Sequence, residues 1–442
     1  MWPKKIKPNG TLHELGGALA VSNFRRYVAG QALSLIGTWV ETVAQGLLVL
    51  QLTHSGLLLG LMTAARYAPI LLLSPYAGLL IDRFNKRRVL LVTQVGLGGV
   101  SLLLGLVVLS GEVRLGQVLV LALAFGTFSA ADNPARQAFV SELVGQSLLR
   151  NAVILNSILV NIARVIGPTI AAVVIHAAGI GWCFMIDAAS SLAVIGSLLV
   201  LDANQLHPTT PAPRRPGQLR DGFRYAAGIP EIIRPLIMMA LVGTFAFEFE
   251  VSFPLLAQAT FQGGADACGK LLGAFGAGAV IGGVYGAARP RTGVVRLGHI
   301  AFLYAATMMA LALAPTLWAA VGASALVGLA AILFLTTGNA TVQLASDPHY
   351  RGRVMALWST ALVGSAPIGA PVVGAVSEAL DPRAAIALGA FACVAAGAVS
   401  LVGSGKLPSL RERDIQRIAV KAGGVKSGDQ SWAPRLAAKA PA

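Results

Sequence analysis

Charged residues are scarce in this 442-residue chain: Asp, Glu, Lys and Arg together make up 12% of it, against 55% hydrophobic residues. So few ionic side chains cannot coat a water-soluble globule of this length. Acids are scarcer than bases, 19 against 34, for a net charge of +15. In a soluble protein that excess would point to nucleic acid; here its distribution along the chain matters more than its size, and no nucleic-acid partner is expected. The three cysteines, Cys183, Cys268 and Cys393, fall in or at the ends of apolar runs without ligand spacing, so no disulfide framework is expected. The histidines, His13, His54, His176, His207, His299 and His349, are scattered without metal spacing. Gly264-Ala-Asp-Ala-Cys-Gly269-Lys270-Leu271 lacks the Ser/Thr of a phosphate-binding loop and the strand before it, which excludes an ATPase. No dinucleotide site is legible either, so neither an enzyme, a metal nor a cofactor is expected. Met1 to Tyr27 carries Lys4, Lys5, Lys7, Arg25 and Arg26 without a separate short apolar core, so no cleavable signal is expected.

What is abundant is long apolar sequence, with a mean hydropathy of +0.72. Twelve runs, near 27–52, 57–81, 89–110, 115–138, 151–176, 180–201, 235–258, 268–288, 294–315, 317–344, 354–378 and 383–404, are each long enough to cross hydrocarbon as a helix. Between the sixth and seventh lies 202–234, a polar linker with Pro208, Pro211, Pro213 and Pro216. The expected organisation is an N-terminal segment 1–26, a six-helix bundle 27–201, the linker 202–234, a second six-helix bundle 235–404 and a basic tail 405–442 suited to anionic headgroups. The fold class is therefore all-α integral membrane, with twelve transmembrane helices in two bundles.

Loop charge sets orientation. Of the 34 Lys and Arg residues, only Arg114, Lys270 and Arg383 fall in the loops opposite the N-terminal segment, and only Arg66 and Arg164 lie inside apolar runs. The rest crowd one side, which predicts both termini and the linker in the cytoplasm. The halves also repeat one another. Asn133-Pro-Ala-Arg-Gln137 near the end of the fourth run matches Asn339-Ala-Thr-Val-Gln343 near the end of the tenth. Each is followed by a basic loop and a Gly/Pro-interrupted helix, Gly167-Pro168 in one half and Pro367 to Pro371 in the other. Parallel repeats with matched broken helices point to a transporter whose site lies between two pseudo-symmetric bundles.

Six charges inside the runs are the chemical candidates: Glu41, Arg66, Arg164, Asp187, Glu248 and Glu250. Each needs a partner or a wet cavity, because an ionised group at the bilayer centre costs about 2.5 to 3.5 kcal/mol on insertion scales. By helical rise, Arg164 and Asp187 share a depth of roughly 20 Å from the cytoplasmic face, and Glu41 and Arg66 lie within about 5 Å of each other in depth. Both pairs are ion-pair candidates. Glu248 and Glu250 have no evident basic partner and point about 200° apart on a helix, so one of them is expected to face the cavity. Glu248 or Glu250, with Glu41, is the candidate for carrying a coupling proton or recognising cationic cargo. Trp39, Gln45, Tyr67, Phe245 and Phe249 are cavity candidates by depth. Gly269, Gly273, Gly278, Gly282 and Gly286 read as one close-packing face.

The short charged turn Gly78-Leu-Leu-Ile-Asp82-Arg83-Phe-Asn85-Lys86-Arg87-Arg88 resembles the loop between the second and third helices of the major facilitator superfamily. With Asn23-Phe-Arg-Arg-Tyr27, Gly37-Thr-Trp39, Leu52-Thr-His-Ser55, Pro134-Ala-Arg-Gln137, Gly167-Pro168 and Arg351-Gly-Arg-Val354, the chain looks like a bacterial exporter of that superfamily. More narrowly, it is similar to the drug:proton antiporter branch that includes macrolide-efflux proteins and enterobactin-type siderophore exporters. The resemblance runs over about residues 20 to 405. It implies a monomer in the bacterial inner membrane that exports an amphipathic drug or siderophore against protons by alternating access. The family pattern makes Asp82, with Gly78, Arg83, Arg87 and Arg88, an inner gate, and Asp132 and Arg136 lie at a similar depth as network partners. Asn85 stands where the pattern prefers glycine and suits a left-handed turn. Gly167 and Pro168 match the antiporter motif, with Ala171-Ala172 in place of its glycine pair. Another substrate, direction or coupling ion, or a sensor built on the same fold, stays open at this point.

Overall fold

In hydrocarbon every backbone N–H and C=O must be satisfied within the protein, so long apolar runs fold as helices. The computed structural model describes residues 17–81, 84–207, 218–288, 292–347 and 350–401, with the side chains of 74–81 outside the description. Helices α1 (Ser22–Thr53), α2 (Gly56–Ile81) and α3 (Lys86–Leu109) are followed by α4 (Leu115–Gly145), α5 (Ser147–Ala178) and α6 (Ile180–Leu199). Only Gly145, at φ 66° and ψ 177°, turns the chain between α4 and α5. A short helix α7 (Gln218–Ala227) precedes the seventh span, formed by α8 (Pro230–Phe245), α9 (Phe249–Leu255) and a π-helical turn at Leu256–Thr260. Then come α10 (Gly264–Ala288), α11 (Val294–Ala312) and α12 (Leu317–Ala345). The eleventh span is α13 (Arg351–Val363) with α14 (Ala366–Ala379), and α15 (Pro382–Leu401) is the last.

Among the described residues, twelve spans are long and apolar enough to cross a membrane. Their outward faces carry Val92, Val95, Val120, Leu192, Ile281 and Val284, all exposed, as lipid contact requires and water would penalise. One compact unit runs to Ser400; the second, Leu401–Ala442, is described only at Leu401. The segments 1–16, 208–217 and 405–442 named from the sequence lie outside the described residues.

Three local expectations need correction. Helix α7 falls inside the stretch taken as linker: Tyr225 stacks on Tyr350 at 4.2 Å and accepts a hydrogen bond from the Asp347 amide, tying α7 to the α12–α13 turn. The seventh span is not a single helix, and the interruption expected in the eleventh falls earlier than its prolines. Pro254 donates no N–H to the Glu250 carbonyl, and Glu248 caps α9 at φ −82°, ψ 47°, outside helical geometry. In the eleventh span the break falls at Gly364–Ser365, ahead of Pro367. Asn85 is not left-handed: at φ −63°, ψ 115° it caps α3, its side chain accepting from the Arg88 amide.

Glycine positions the helices at van der Waals distance. The α10 glycines form two faces rather than one. Gly269, Gly273 and Gly276 meet Pro168, Thr169 and Val165 of α5, whereas Gly278, Gly282 and Gly286 meet Ala325, Leu329 and Thr336 of α12. The first face joins the two halves. The second join is α2 against α14, where a Cβ at Gly56 would come within 2.6 Å of the Gly374 carbonyl and one at Gly60 would run into the Ala370 carbonyl. Both joins lie in the membrane half away from the basic loops. There Glu378 of α14 also accepts from the Ser55 hydroxyl at 2.5 Å and the Leu57 amide at 2.9 Å.

A side chain at Gly60 should force α2 and α14 apart. Gly60→Val is expected to lower the unfolding midpoint in detergent, corresponding to about 1–3 kcal/mol of overpacking, while Gly99→Ala, where a Cβ meets nothing within 4 Å, leaves it unchanged. Equal midpoints for the two variants would contradict the close seam.

Candidate functional site

Three polar clusters interrupt the apolar interior. At the basic end, Asp132 of α4 is almost fully buried and accepts from Thr93 Oγ1 at 2.7 Å and Gln94 Nε2 at 2.9 Å, both on α3. Arg136, one turn further along α4, forms an ion pair with it. Nearby, Lys86 pairs with Glu142 at 2.7 Å and Arg87 donates to the Leu199 carbonyl at 3.1 Å. The Arg88 side chain has no hydrogen bond or ion pair among the described residues. Gly78, Asp82 and Arg83 lie where side-chain surroundings are outside the description. The α3–α4 cluster thus ties helix ends together within the first half, with Asp132 paired to Arg136 and Lys86 to Glu142.

Deeper in the same half, Arg66 of α2 is held by Gln45 Oε1 at 2.6 Å, by Glu41 at 3.5 Å and by the Phe125 ring, whose centroid lies 4.0 Å from its Cζ. Glu41 and Arg66, matched by depth in the sequence, are therefore brought together. Asp187 of α6 is the other acid that acts on Glu41 electrostatically. The expected pair of Arg164 with Asp187 does not form. Asp187 instead accepts from Ser101 Oγ at 2.7 Å, with Thr38 and Ser190 hydroxyls at 3.4 and 3.5 Å. Equal depth did not bring the two together: Asp187 turns toward α1 and α3, Arg164 toward Trp39.

The third cluster lies between the halves. Tyr67 of α2 donates its hydroxyl to Glu250 Oε1 of α9 at 2.9 Å. Arg164 of α5 stands over the Trp39 ring with its Cζ 5.4 Å from the centroid, and Glu250 and Tyr67 are the charged and titratable groups that act on it electrostatically. Trp39 is itself wedged against Gly167, where any Cβ would collide with it. Glycine of the Gly167-Pro168 motif therefore lets α5 approach the α1 backbone at Ile36 and Trp39. Glu248 is buried rather than cavity-facing, its carboxylate turned to the α14 backbone at Gly369; Glu250, half-buried, is the member of the pair that faces the space between halves. Gln45 is committed to Arg66 and Phe249 packs on Phe253 and Phe275, so these two are not open to a ligand. Phe245 ends α8 half-buried. Sequence reading missed Ser55 and Glu378: both sit at helix ends, where a polar residue looks like an ordinary loop neighbour.

A family model described as transmembrane secretion effector matches residues 17–422. The chain belongs to that family. This secretion-effector chain is 25% identical to the enterobactin exporter EntS of Salmonella typhimurium over 399 residues, covering 88% of this chain and 94% of the relative. It is 31% identical to the staphyloferrin A transporter of Staphylococcus aureus over 150 residues, 34% of this chain and 38% of the relative. Among solved structures, the nucleoside transporter NupG superposes with a TM-score of 0.69 at 13% identity, covering 87% of this chain and 100% of its own. A bacterial homolog of the human lysosomal transporter Spinster, inward-facing and unoccupied, gives 0.65 at 16% identity, with 90% and 96% covered. The fold is that of the major facilitator transporters, and family and fold are those of transporters, not enzymes.

The secretion-effector core depends on the Arg66 cluster. Arg66→Met strands Glu41 in a dry interior and is expected to cost about 3–5 kcal/mol, read as a lower unfolding midpoint in detergent. The double variant Glu41→Gln with Arg66→Met should recover part of that loss; a double variant no better than the single one would contradict a direct pairing.

Proposed function

We propose that this chain is a secondary exporter of an amphipathic small molecule of the siderophore or drug class, driven by proton antiport through alternating access. Siderophore cargo is favoured by the relatives named for enterobactin and staphyloferrin A. Residues 27–201 and 235–404 act as the rocking bodies, with 202–234 joining them. The surplus of Lys and Arg on one set of loops supports cytoplasmic termini in a bacterial inner membrane. The working unit is a monomer in lipid, since one chain supplies both bodies. Gly78, Asp82, Arg83, Arg87 and Arg88 with Asp132 and Arg136 are assigned to the cytoplasmic gate, and Gly167, Pro168, Pro367 and Pro371 to the bending of the helices that line the cavity.

One observation carries the coupling: Glu250, half-exposed on one body, accepts a hydrogen bond from Tyr67 of the other. A carboxyl group on the dividing plane changes surroundings whenever the bodies separate, and a change of surroundings changes its hold on a proton. Glu41, paired with Arg66 and acted on electrostatically by Asp187, is the second candidate carrier, and buried Glu248 beside the broken span is the third.

The test is transport in inverted membrane vesicles under an imposed proton gradient, with a panel of siderophores and amphipathic drugs. Cargo-dependent dissipation of the gradient is expected, and Glu250→Gln or Glu41→Gln should reduce it by at least about tenfold. Full cargo-driven proton flux in all three glutamine variants, at Glu41, Glu248 and Glu250, would sink the coupling assignment.

A further inference from the structure

Arg66 and Arg164 are the arginines that the sequence places inside apolar runs, and the structure treats them differently. Arg66 is saturated, with an amide, a carboxylate and an aromatic face around its guanidinium. Arg164 has none of the first two. Among the described residues it makes no hydrogen bond, and no carboxylate lies within 4.0 Å of its nitrogens. Its Nε is enclosed without a partner while the side chain as a whole is only half-buried. The one acid that its depth matched, Asp187, is occupied by the Ser101, Thr38 and Ser190 hydroxyls.

Its place on α5 explains why a partner is missing. Gly167 abuts Trp39 of α1, and Val165, Pro168 and Thr169 abut the glycine face of α10. Arg164 lies between those two contact faces, at the join of the two halves. Glu250 of α9 and Tyr67 of α2 act on it electrostatically, and Glu250 is already accepting the Tyr67 hydroxyl. An unpaired guanidinium in a membrane interior is costly, so such residues mark substrate paths and face cavities. A guanidinium on an indole face is oriented by the ring and keeps its planar fork free, the geometry that binds a carboxylate or other oxyanion through two parallel hydrogen bonds.

We propose that Arg164, seated on Trp39, is the anion subsite of the cavity between the halves, and that the cargo class is an organic anion with a flat aromatic body. The acidic oxygen meets the guanidinium, and the apolar part lies along Trp39 and Tyr67. This rests on the exporter reading above and deepens it, because it selects against purely cationic drugs.

The test uses the full chain in lipid nanodiscs and two fluorescent probes that share one skeleton, the anion anilinonaphthalene sulfonate and uncharged phenylnaphthylamine, with empty nanodiscs subtracted. Arg164→Gln is expected to weaken sulfonate binding about ten- to hundredfold, the worth of a charge-assisted hydrogen bond, and to leave the neutral probe unchanged. Arg164→Lys should restore part of the difference, since it keeps the charge and loses the fork. Should Arg164→Gln not fold, the sulfonate titration is read in Trp39→Phe, where both its binding and the quenching of tryptophan emission should fall. Equal binding of both probes by the wild-type protein, or a sulfonate affinity untouched by every variant, overturns the subsite. Arg164-dependent binding without movement of any cargo in the vesicle assay would keep the subsite and remove the exporter reading; coupled transport without Arg164-dependent binding would do the reverse.

Discussion

Hydrocarbon offers a charged group neither water nor counter-ions, so every ion within these spans has to be solvated by the protein itself. That constraint arranges the interior. Asp132 collects a hydroxyl, an amide and a guanidinium; Asp187 collects hydroxyls; Arg66 collects Gln45, Glu41 and the Phe125 ring. These clusters all lie within the first six spans and draw on helices α1 to α4 and α6. They work as fixed polar pins in an otherwise directionless apolar packing, because a pin that slips leaves a bare charge while a slipped Leu finds another Leu. Arg164 and half-exposed Glu250, by contrast, lie where the two halves face each other.

Between the halves the chemistry changes from pins to smooth contact. The α2–α14 and α5–α10 joins are built on glycine against backbone, at Gly56, Gly60 and Gly374 and at Gly269, Gly273 and Gly276. Lipid tails are as apolar as leucine, so such joins owe their strength to close dispersion contact and not to expulsion of water. Dispersion falls away within an ångström or so of separation, which makes a glycine seam firm when shut and cheap to hold open once lipid or water has filled it.

Depth and composition were legible in the sequence; direction around the helix axis was not. Apolar run length fixes the number of spans, and the loop arithmetic sorts their ends, because both depend on a coordinate along the chain. Glu41 and Arg66 were matched correctly by depth since α1 and α2 are adjacent and antiparallel, with few azimuths to choose from. Arg164 and Asp187 share a depth equally well, yet α5 turns Arg164 toward Trp39 and α6 turns Asp187 toward Ser101. The broken seventh span was hidden for a related reason. Glu248 and Glu250 sit in an unbroken apolar run, and the interruption shows only as the missing donor of Pro254 and the non-helical Glu248. Helix α7 was hidden by its prolines upstream: the run from Gln218 to Ala227 is short and polar, and it is held by the Tyr225–Tyr350 stack, a contact between residues far apart in sequence.

The break in the seventh span gives its two acids different situations. Had the helix continued, Glu248 and Glu250 would have pointed to opposite sides with equivalent backbone support. With the break, Glu248 becomes a cap buried against α14, moving with its own half, while Glu250 starts a fresh turn and reaches across to Tyr67. In the alternating cycle proposed above, the Tyr67–Glu250 bond and the outer Ser55–Glu378 bond both cross the dividing plane and both must open together. Hydrogen bonds to a carboxylate contribute at most about 1.5–3 kcal/mol each in net terms, less where the acid is exposed as Glu378 is. A lock made of a few such bonds over a glycine seam is weak enough for the differential binding of one proton or one cargo anion to bias, because a shift of about 1.4 kcal/mol already changes the balance of two states tenfold. A salt bridge pinned like Asp132–Arg136 in that position would have held the halves shut against any ligand of ordinary affinity.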